Sequence, residues 1–268
     1  MNEDDVYLPD PLLATGHFLL KRIDKGLSCT TIITGEPGTG KSTLAINLGM
    51  ACGWLQSKPW NWKTGVTYAG DDYLSAIESL PRGTTVIMNE GGENLHSHTW
   101  YDQVNKAIIK SQMTDRIFKK NKILIIPFNK QMNSSAKAGC CCRIHCYIAN
   151  GRRYANILWA TTQTSPFNKY ADPFYAPLYM RYAFPKLPAK IERSYIKFDM
   201  DAKKVLNKKY VDKILKDESW YGDLVKEVKE LSSKNGWSSR DDVYTHYKRK
   251  GAKVTFSDAN KIWKKAKV

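Results

Sequence analysis

The chain has 268 residues, enough for one large domain or for a domain with a small appendage, and its 42% hydrophobic content excludes a disordered protein. No apolar run approaches the roughly 18 residues of a membrane-spanning helix. Lys and Arg exceed Asp and Glu by 16. From Lys186 onward there are 22 against 12, so ten of the surplus charges fall in the C-terminal third. A surplus of that size favours a polyanionic partner, nucleic acid before others, over a merely solvated lysine-rich surface. The N-terminus, Met1-Asn2-Glu3-Asp4-Asp5, lacks the basic and apolar regions of a secretory signal, and the six cysteines are not spaced like a disulfide framework. A reducing, cytoplasmic setting is expected.

Residues 1–26 read as an N-terminal lead-in broken by Pro9, Pro11 and Gly16, with a short helix over 17–23. The β-branched run 30–34, Thr-Thr-Ile-Ile-Thr, predicts a buried strand. After it come Gly35-Glu36-Pro37-Gly38-Thr39-Gly40-Lys41-Ser42 and then Thr43, which fit the phosphate-binding pattern G-x-x-x-x-G-K-[ST] at each fixed position. Such a loop wraps nucleotide phosphates in backbone N–H groups. Lys41 reaches the outer phosphates and the Ser42 hydroxyl binds Mg²⁺. Apolar spacing over 42–50 predicts a helix stopped near Gly53, so the phosphates meet a helix N-terminus. ATP and Mg²⁺ are therefore the expected cofactors. Trp54, Trp60 and Trp62 follow. Packing of a long connection is their expected use, with stacking on an adenine or another base as the alternative.

Further along, 66–69 predicts a second strand, 72–80 a short helix, 81–83 a turn and 84–88 another buried strand. That strand ends in Asn89-Glu90. NTPases with such a loop place Asp then Glu there: the Asp holds Mg²⁺ through its water shell, and the Glu orients or deprotonates the attacking water. Asn89 offers an amide oxygen without a charge, so weaker Mg²⁺ binding and uncertain turnover are expected, whereas Glu90 keeps the catalytic carboxylate. The metal-holding residues are then Ser42 and Asn89. A long helix is predicted over 100–120, with Val104, Ile108 and Ile117 on its apolar side, and a buried strand over 123–128. Asn129, just past that strand, is the expected γ-phosphate sensor, with Gln131 and Gln163 as alternatives. Arg116, Arg143, Arg152 and Arg153 are candidates for an arginine reaching the γ-phosphate of a neighbouring subunit, and sequence does not choose among them.

The pattern then changes. Runs 143–148 and 154–159 flank Ala149-Asn150-Gly151-Arg152-Arg153, and Asn-Gly between two such runs predicts a hairpin. Its tip carries Arg152 and Arg153, where a ring neighbour or DNA could be met. Cys140, Cys141, Cys142, His145 and Cys146 lie close in sequence, but three consecutive cysteines do not easily turn toward one zinc ion. Surface or half-buried thiols are expected instead. Pro166, Pro173, Pro177, Pro185 and Pro188 suggest an extended linker. Helices are predicted over 202–215, 221–232, 239–249 and 257–265, with Ser238 or Ser239 and Ser257 as caps. The last two resemble a helix-turn-helix in outline. The expected organisation is a lead-in (1–26), a P-loop ATPase domain (27–185) and a basic helical domain (186–268). The expected fold class is α/β: a mainly parallel sheet between helices, a β-hairpin insertion and a helical C-terminal extension.

Taken together, the loop spelled Gly-Glu-Pro-Gly-Thr-Gly-Lys-Ser-Thr, the stretch from Val86 to Ser97, the helix after it and the strands 123–128 and 144–148 resemble the additional-strand group of P-loop ATPases. Within it they are similar to FtsK–HerA-type and AAA+-like ATPases of archaeal viruses and plasmids, over roughly residues 27–165. The resemblance implies a strand inserted between the loop strand and the acidic strand. It also implies an ATPase that moves or packages DNA as a ring oligomer, with a capsid or replication partner, in the host cytoplasm or a virion. Asn89 departs from the usual Asp. An ATP-switched, non-motor DNA-binding regulator, such as a replication initiator or partition protein, is the second reading. A small-molecule kinase would need a lid, and no lid signature is present.

Overall fold

The computed structural model describes residues 8–27, 29–89, 106–108, 110–111, 117–127, 139–159, 179–235, 239–249 and 256–266. The β-branched and Ile-rich runs are its strands. β1 (Cys29–Thr34), β3 (Thr85–Met88) and β4 (Asn121–Ile125) are buried at every position, as strands covered on both faces must be. With β2 (Val66–Thr67), β5 (Cys142–Ala149), β6 (Arg152–Trp159) and β7 (Tyr179–Ala183) they form a seven-stranded sheet in the order β2-β3-β4-β1-β5-β6-β7. The pairs β2–β3, β3–β4, β4–β1 and β1–β5 are parallel, and β5–β6 and β6–β7 are antiparallel. The unit is thus an α/β fold of the P-loop NTPase kind. β4 lies between β1 and β3, which is where the inserted strand was expected.

Helices cover both faces. α1 (Asp10–Asp24) packs on α2 (Lys41–Leu55), and its Phe18 ring meets Trp159 of β6 at 3.8 Å. On the other face, Tyr73 and Ile77 of α4 (Gly70–Ser79) and the buried Ile108 join Ile32, Val86, Met88, Leu124, Ile126 and Cys140 in one core cluster. The short α3 (Trp62–Gly65) precedes β2.

Several boundaries differ from the sequence expectation. Gly16 does not break the lead-in: it is buried inside α1, where a Cβ would lie 3.1 Å from Leu55 Cδ1 of α2. A helical Gly costs only about 1 kcal/mol, which this close approach offsets. Residues 106–108 and 110–111 are helical, but the helix does not reach Lys120. Lys119 has φ 48° and its carbonyl accepts from the Gly83 amide, while Ile117 is 73% exposed rather than on a core side. β4 begins two residues early because Asn121, though fully buried, is satisfied: its Nδ2 donates to Thr85 Oγ1 (3.1 Å), and its Oδ1 accepts from Cys29 Sγ.

β7 falls inside the stretch expected to be a linker. Its neighbours Pro177 and Pro185 mimic a linker, yet proline is tolerated beside an edge strand. The helices expected over 202–215 and 221–232 are one 47-residue helix, α5 (Ala189–Asn235). The chain between them, Lys216-Asp217-Glu218-Ser219-Trp220, has no Gly or Pro to end it, and Gly222 has open space around it. The cysteines are not surface thiols: all six are buried and free. Burial pushes the Cys52 and Cys146 thiols up to about 12. Alternation along β5 also puts His145 on the opposite face from Cys142 and Cys146.

The chain divides into two compact units, Met1–Tyr195 and Ile196–Val268. In the second, Leu224 and Val228 of α5 pack with Val243 and Tyr247 of α6 (Arg240–Arg249) and with Ala259, Ile262 and Trp263 of α7 (Phe256–Ala266). The i, i+3 and i, i+4 spacings give each helix one apolar stripe. Ser239 caps α6: its Oγ accepts from the Asp241 amide (3.3 Å), and its own amide donates to Asp242 Oδ2 (2.9 Å). Ser257 lies inside α7. No described helix is long and apolar enough to cross a membrane.

Candidate functional site

The loop 35–40 links β1 to α2 at the C-terminal end of the parallel strands. Gly35 has φ 146°, and a Cβ there would lie 2.3 Å from the Cys146 carbonyl oxygen, so only glycine fits. Thr39 Oγ1 donates to the Glu36 carbonyl (2.7 Å) and closes the turn. α2 starts on Gly40, which is left-handed and provides no side-chain cap. The first-turn amides therefore have no intrahelical acceptor. That turn carries Lys41 and no acid, the reverse of the usual helix-dipole preference. An uncapped, cationic helix start suits a bound polyanion.

Lys41 Nζ donates to the carbonyls of Gly35 (2.8 Å) and Glu36 (2.9 Å), which hold the ammonium over the loop. Ser42 Oγ donates to Asn89 Oδ1 at 3.1 Å. The loop and the end of β3, read separately as halves of one site, therefore meet through the two residues expected to hold the metal. Asn89 is 1% exposed, and its Nδ2 donates to the Tyr195 hydroxyl at 3.0 Å. Tyr195 also lies 3.5 Å from the Tyr68 hydroxyl and meets the Trp62 ring edge-on at 5.7 Å. Both ends of the amide are thus fixed, and its oxygen faces the loop.

The arginine candidates separate. Arg153 does not point away from the hairpin tip: a Cβ at Gly40 would lie 2.9 Å from Arg153 Cδ and 3.3 Å from Phe184 Cε2. Arg153 therefore lies against its own phosphate loop. Its Nη1 is buried and without a hydrogen-bond partner among the described residues. Arg152 is exposed beside the Asn150-Gly151 turn, whose residues both have positive φ (49° and 70°). Arg143 is half-buried on β5.

His145 lies 3.2 Å from Thr34 Oγ1, next to the loop. Burial, Arg143 and Lys41 push its pKa below the usual histidine value against the pull of Glu36. Glu90, Asn129, Gln131, Gln163 and Arg116 lie outside the described residues.

Sequence reasoning missed Tyr195 and Phe184, and it weighed His145 only as a zinc ligand. Tyr195 is 106 residues from Asn89 and carries no local signal, whereas His145 could have been found from its parallel register with Thr34. Of the tryptophans, Trp60 and Trp62 pack the long connection. Trp60 Nε1 donates to the Thr85 carbonyl (2.8 Å), its ring lies against Gly49 and Gly65, and its Cβ lies against Gly53. Trp54 is 66% exposed beside an apolar groove lined by Leu13, Met50 and Trp60, near the end of α2 distant in sequence from the loop.

No protein-family model matches the chain, and no curated protein matches it either. Among solved structures, the N-terminal domain of zonular occludens toxin from Neisseria meningitidis is similar at a TM-score of 0.41 and 13% identity, over 62% of this chain and 97% of that one. The fold assignment stands on the strand order and the loop.

Proposed function

We propose that the protein binds Mg-ATP in the loop Gly35–Ser42 and is an ATPase that moves or packages DNA as a ring oligomer. The observation that carries the nucleotide part is the Ser42–Asn89 contact of 3.1 Å beneath an uncapped helix start. The residues fit the cofactor: Gly35 leaves a cradle that a Cβ would fill, and two neutral oxygen donors converge where a hard cation is held. Ser42 and Asn89 would hold Mg²⁺, which when bound stabilises charge on the phosphates. Lys41 neutralises the outer phosphates, Glu90 positions the attacking water and Asn129 senses the γ-phosphate. The charge surplus of 16 supports a DNA partner.

The uncharged Asn89 favours a second reading, an ATP-switched regulator that binds DNA without turning over. Hydrolysis rates with and without single- and double-stranded DNA separate the two, alongside particle mass with a non-hydrolysable analogue. DNA-stimulated hydrolysis that is lost in Glu90→Gln, on a ring-sized particle, supports the motor. Tight ATP binding without turnover leaves the regulator, and a monomer indifferent to DNA contradicts the motor.

A further inference from the structure

Strands β5, β6 and β7 contain four arginines, Arg143, Arg152, Arg153 and Arg181, and no carboxylate. Alternation sends Cys142, Ile144, Cys146, Ala155, Ile157 and Tyr182 into the core beneath α1 and α2. The opposite face carries a different chemistry. Tyr147 and Tyr154 are register partners there, with rings 5.7 Å apart and 21° from parallel. His145 extends the row, 6.3 Å from Tyr147 at 17°. The Arg181 guanidinium lies 4.6 Å from the Tyr154 ring and 5.4 Å from Tyr147. Arg143 and Arg152 belong to the same face by alternation. Both tyrosines are half-exposed, and Arg152 and Arg181 are exposed.

We propose that this face of β5–β7 binds single-stranded nucleic acid, with bases stacking on Tyr147 and Tyr154 and phosphates paired with Arg181 and Arg152. Near-parallel aromatic rings on a flat sheet, edged by cations without acids, offer π-faces to any base and charge to its backbone. A duplex keeps its base faces within its own stack, so a single strand is the form that fits. The platform also begins at the nucleotide loop. His145 is the register partner of Thr34, the residue before Gly35, and Tyr147 lies two positions beyond it on the same face. The inference rests on the nucleic-acid half of the proposed function and names its surface.

The test uses the full chain and the anisotropy of a labelled oligo-dT strand at low salt, with binding of a fluorescent ATP analogue followed in parallel. Tyr147→Ala and Tyr154→Ala are each expected to weaken oligonucleotide binding about tenfold. The Phe variants retain it, and Arg181→Ala weakens it and flattens its salt dependence. ATP-analogue affinity stays unchanged throughout. Should the Ala variants not fold, Tyr147→Leu and Tyr154→Leu keep the bulk, lose the π-face and show the same loss. An oligonucleotide affinity equal to wild type in a folded Tyr147→Ala/Tyr154→Ala double variant overturns the proposal. So does a wild-type protein that binds only duplex. A wild-type protein that binds no nucleic acid at all removes the DNA reading together with the platform. Loss of ATP-analogue binding alone removes the nucleotide reading and leaves the platform standing.

Discussion

At the scale of single residues, the proposed chemistry rests on the contact between Ser42 and Asn89. An amide at position 89 serves two partners, donating to Tyr195 and accepting from Ser42. A carboxylate could accept from both hydroxyls and would add a charge at the proposed metal position. Asn89→Asp is therefore expected to lower the Mg²⁺ concentration needed for half-maximal nucleotide binding by about tenfold, read by titrating Mg²⁺ against a fluorescent ATP analogue. An unchanged Mg²⁺ dependence would remove position 89 from the metal site. Arg153 offers a second test. With its Nη1 buried beside Gly40 and unpartnered among the described residues, Arg153→Ala should weaken nucleotide binding about tenfold, the scale of a charge-assisted hydrogen bond. Arg152→Ala, on the exposed tip, should leave it unchanged. Lys41, Ser42 and Asn89 were legible in the sequence because each sits in a short string whose neighbours define its chemistry. Tyr195 was not, because only the closed fold brings the start of a long helix to the end of β3.

At the scale of elements, β-branched runs bounded by turn residues identified β1, β3, β5 and β6, and the Asn150-Gly151 signal gave the hairpin. What failed was the reading of breakers. Gly16 and Pro185 read as interruptions in the sequence, yet close packing accommodates the first and a place beside the edge strand the second. The 47 residues of α5 contain both helices expected over 202–215 and 221–232, and the chain between these has no Gly or Pro to end a helix. Trp60 shows how the elements are tied: its ring fills the space left by Gly49 and Gly65, and its indole N–H satisfies the Thr85 carbonyl at the start of β3. Trp60→Ala should lower unfolding stability by about 3 kcal/mol, measured by urea denaturation. Trp54→Ala, at an exposed site, should change it by less than about 0.5 kcal/mol. Equal losses in the two variants would contradict this packing account.

At the scale of the whole molecule, a parallel half-sheet carries the phosphate loop, and an antiparallel extension carries an aromatic and cationic face. A basic helical unit follows in the chain. The α/β class was legible because the order of strand and helix signals constrains topology, whereas the inserted strand was expected only from the resemblance to the additional-strand group. The outer face of β5–β7 was not, since it depends on which residues the register pairs across strands. In the proposed function, Gly35–Ser42 and Asn89 form one Mg-nucleotide site. Calorimetric titration of Mg-ATP into the wild-type protein and Lys41→Ala tests it most directly. One saturable site in the wild type, weakened at least about tenfold in Lys41→Ala and by removal of Mg²⁺, is the predicted result. No binding by the wild type, or binding indifferent to Lys41, would contradict it.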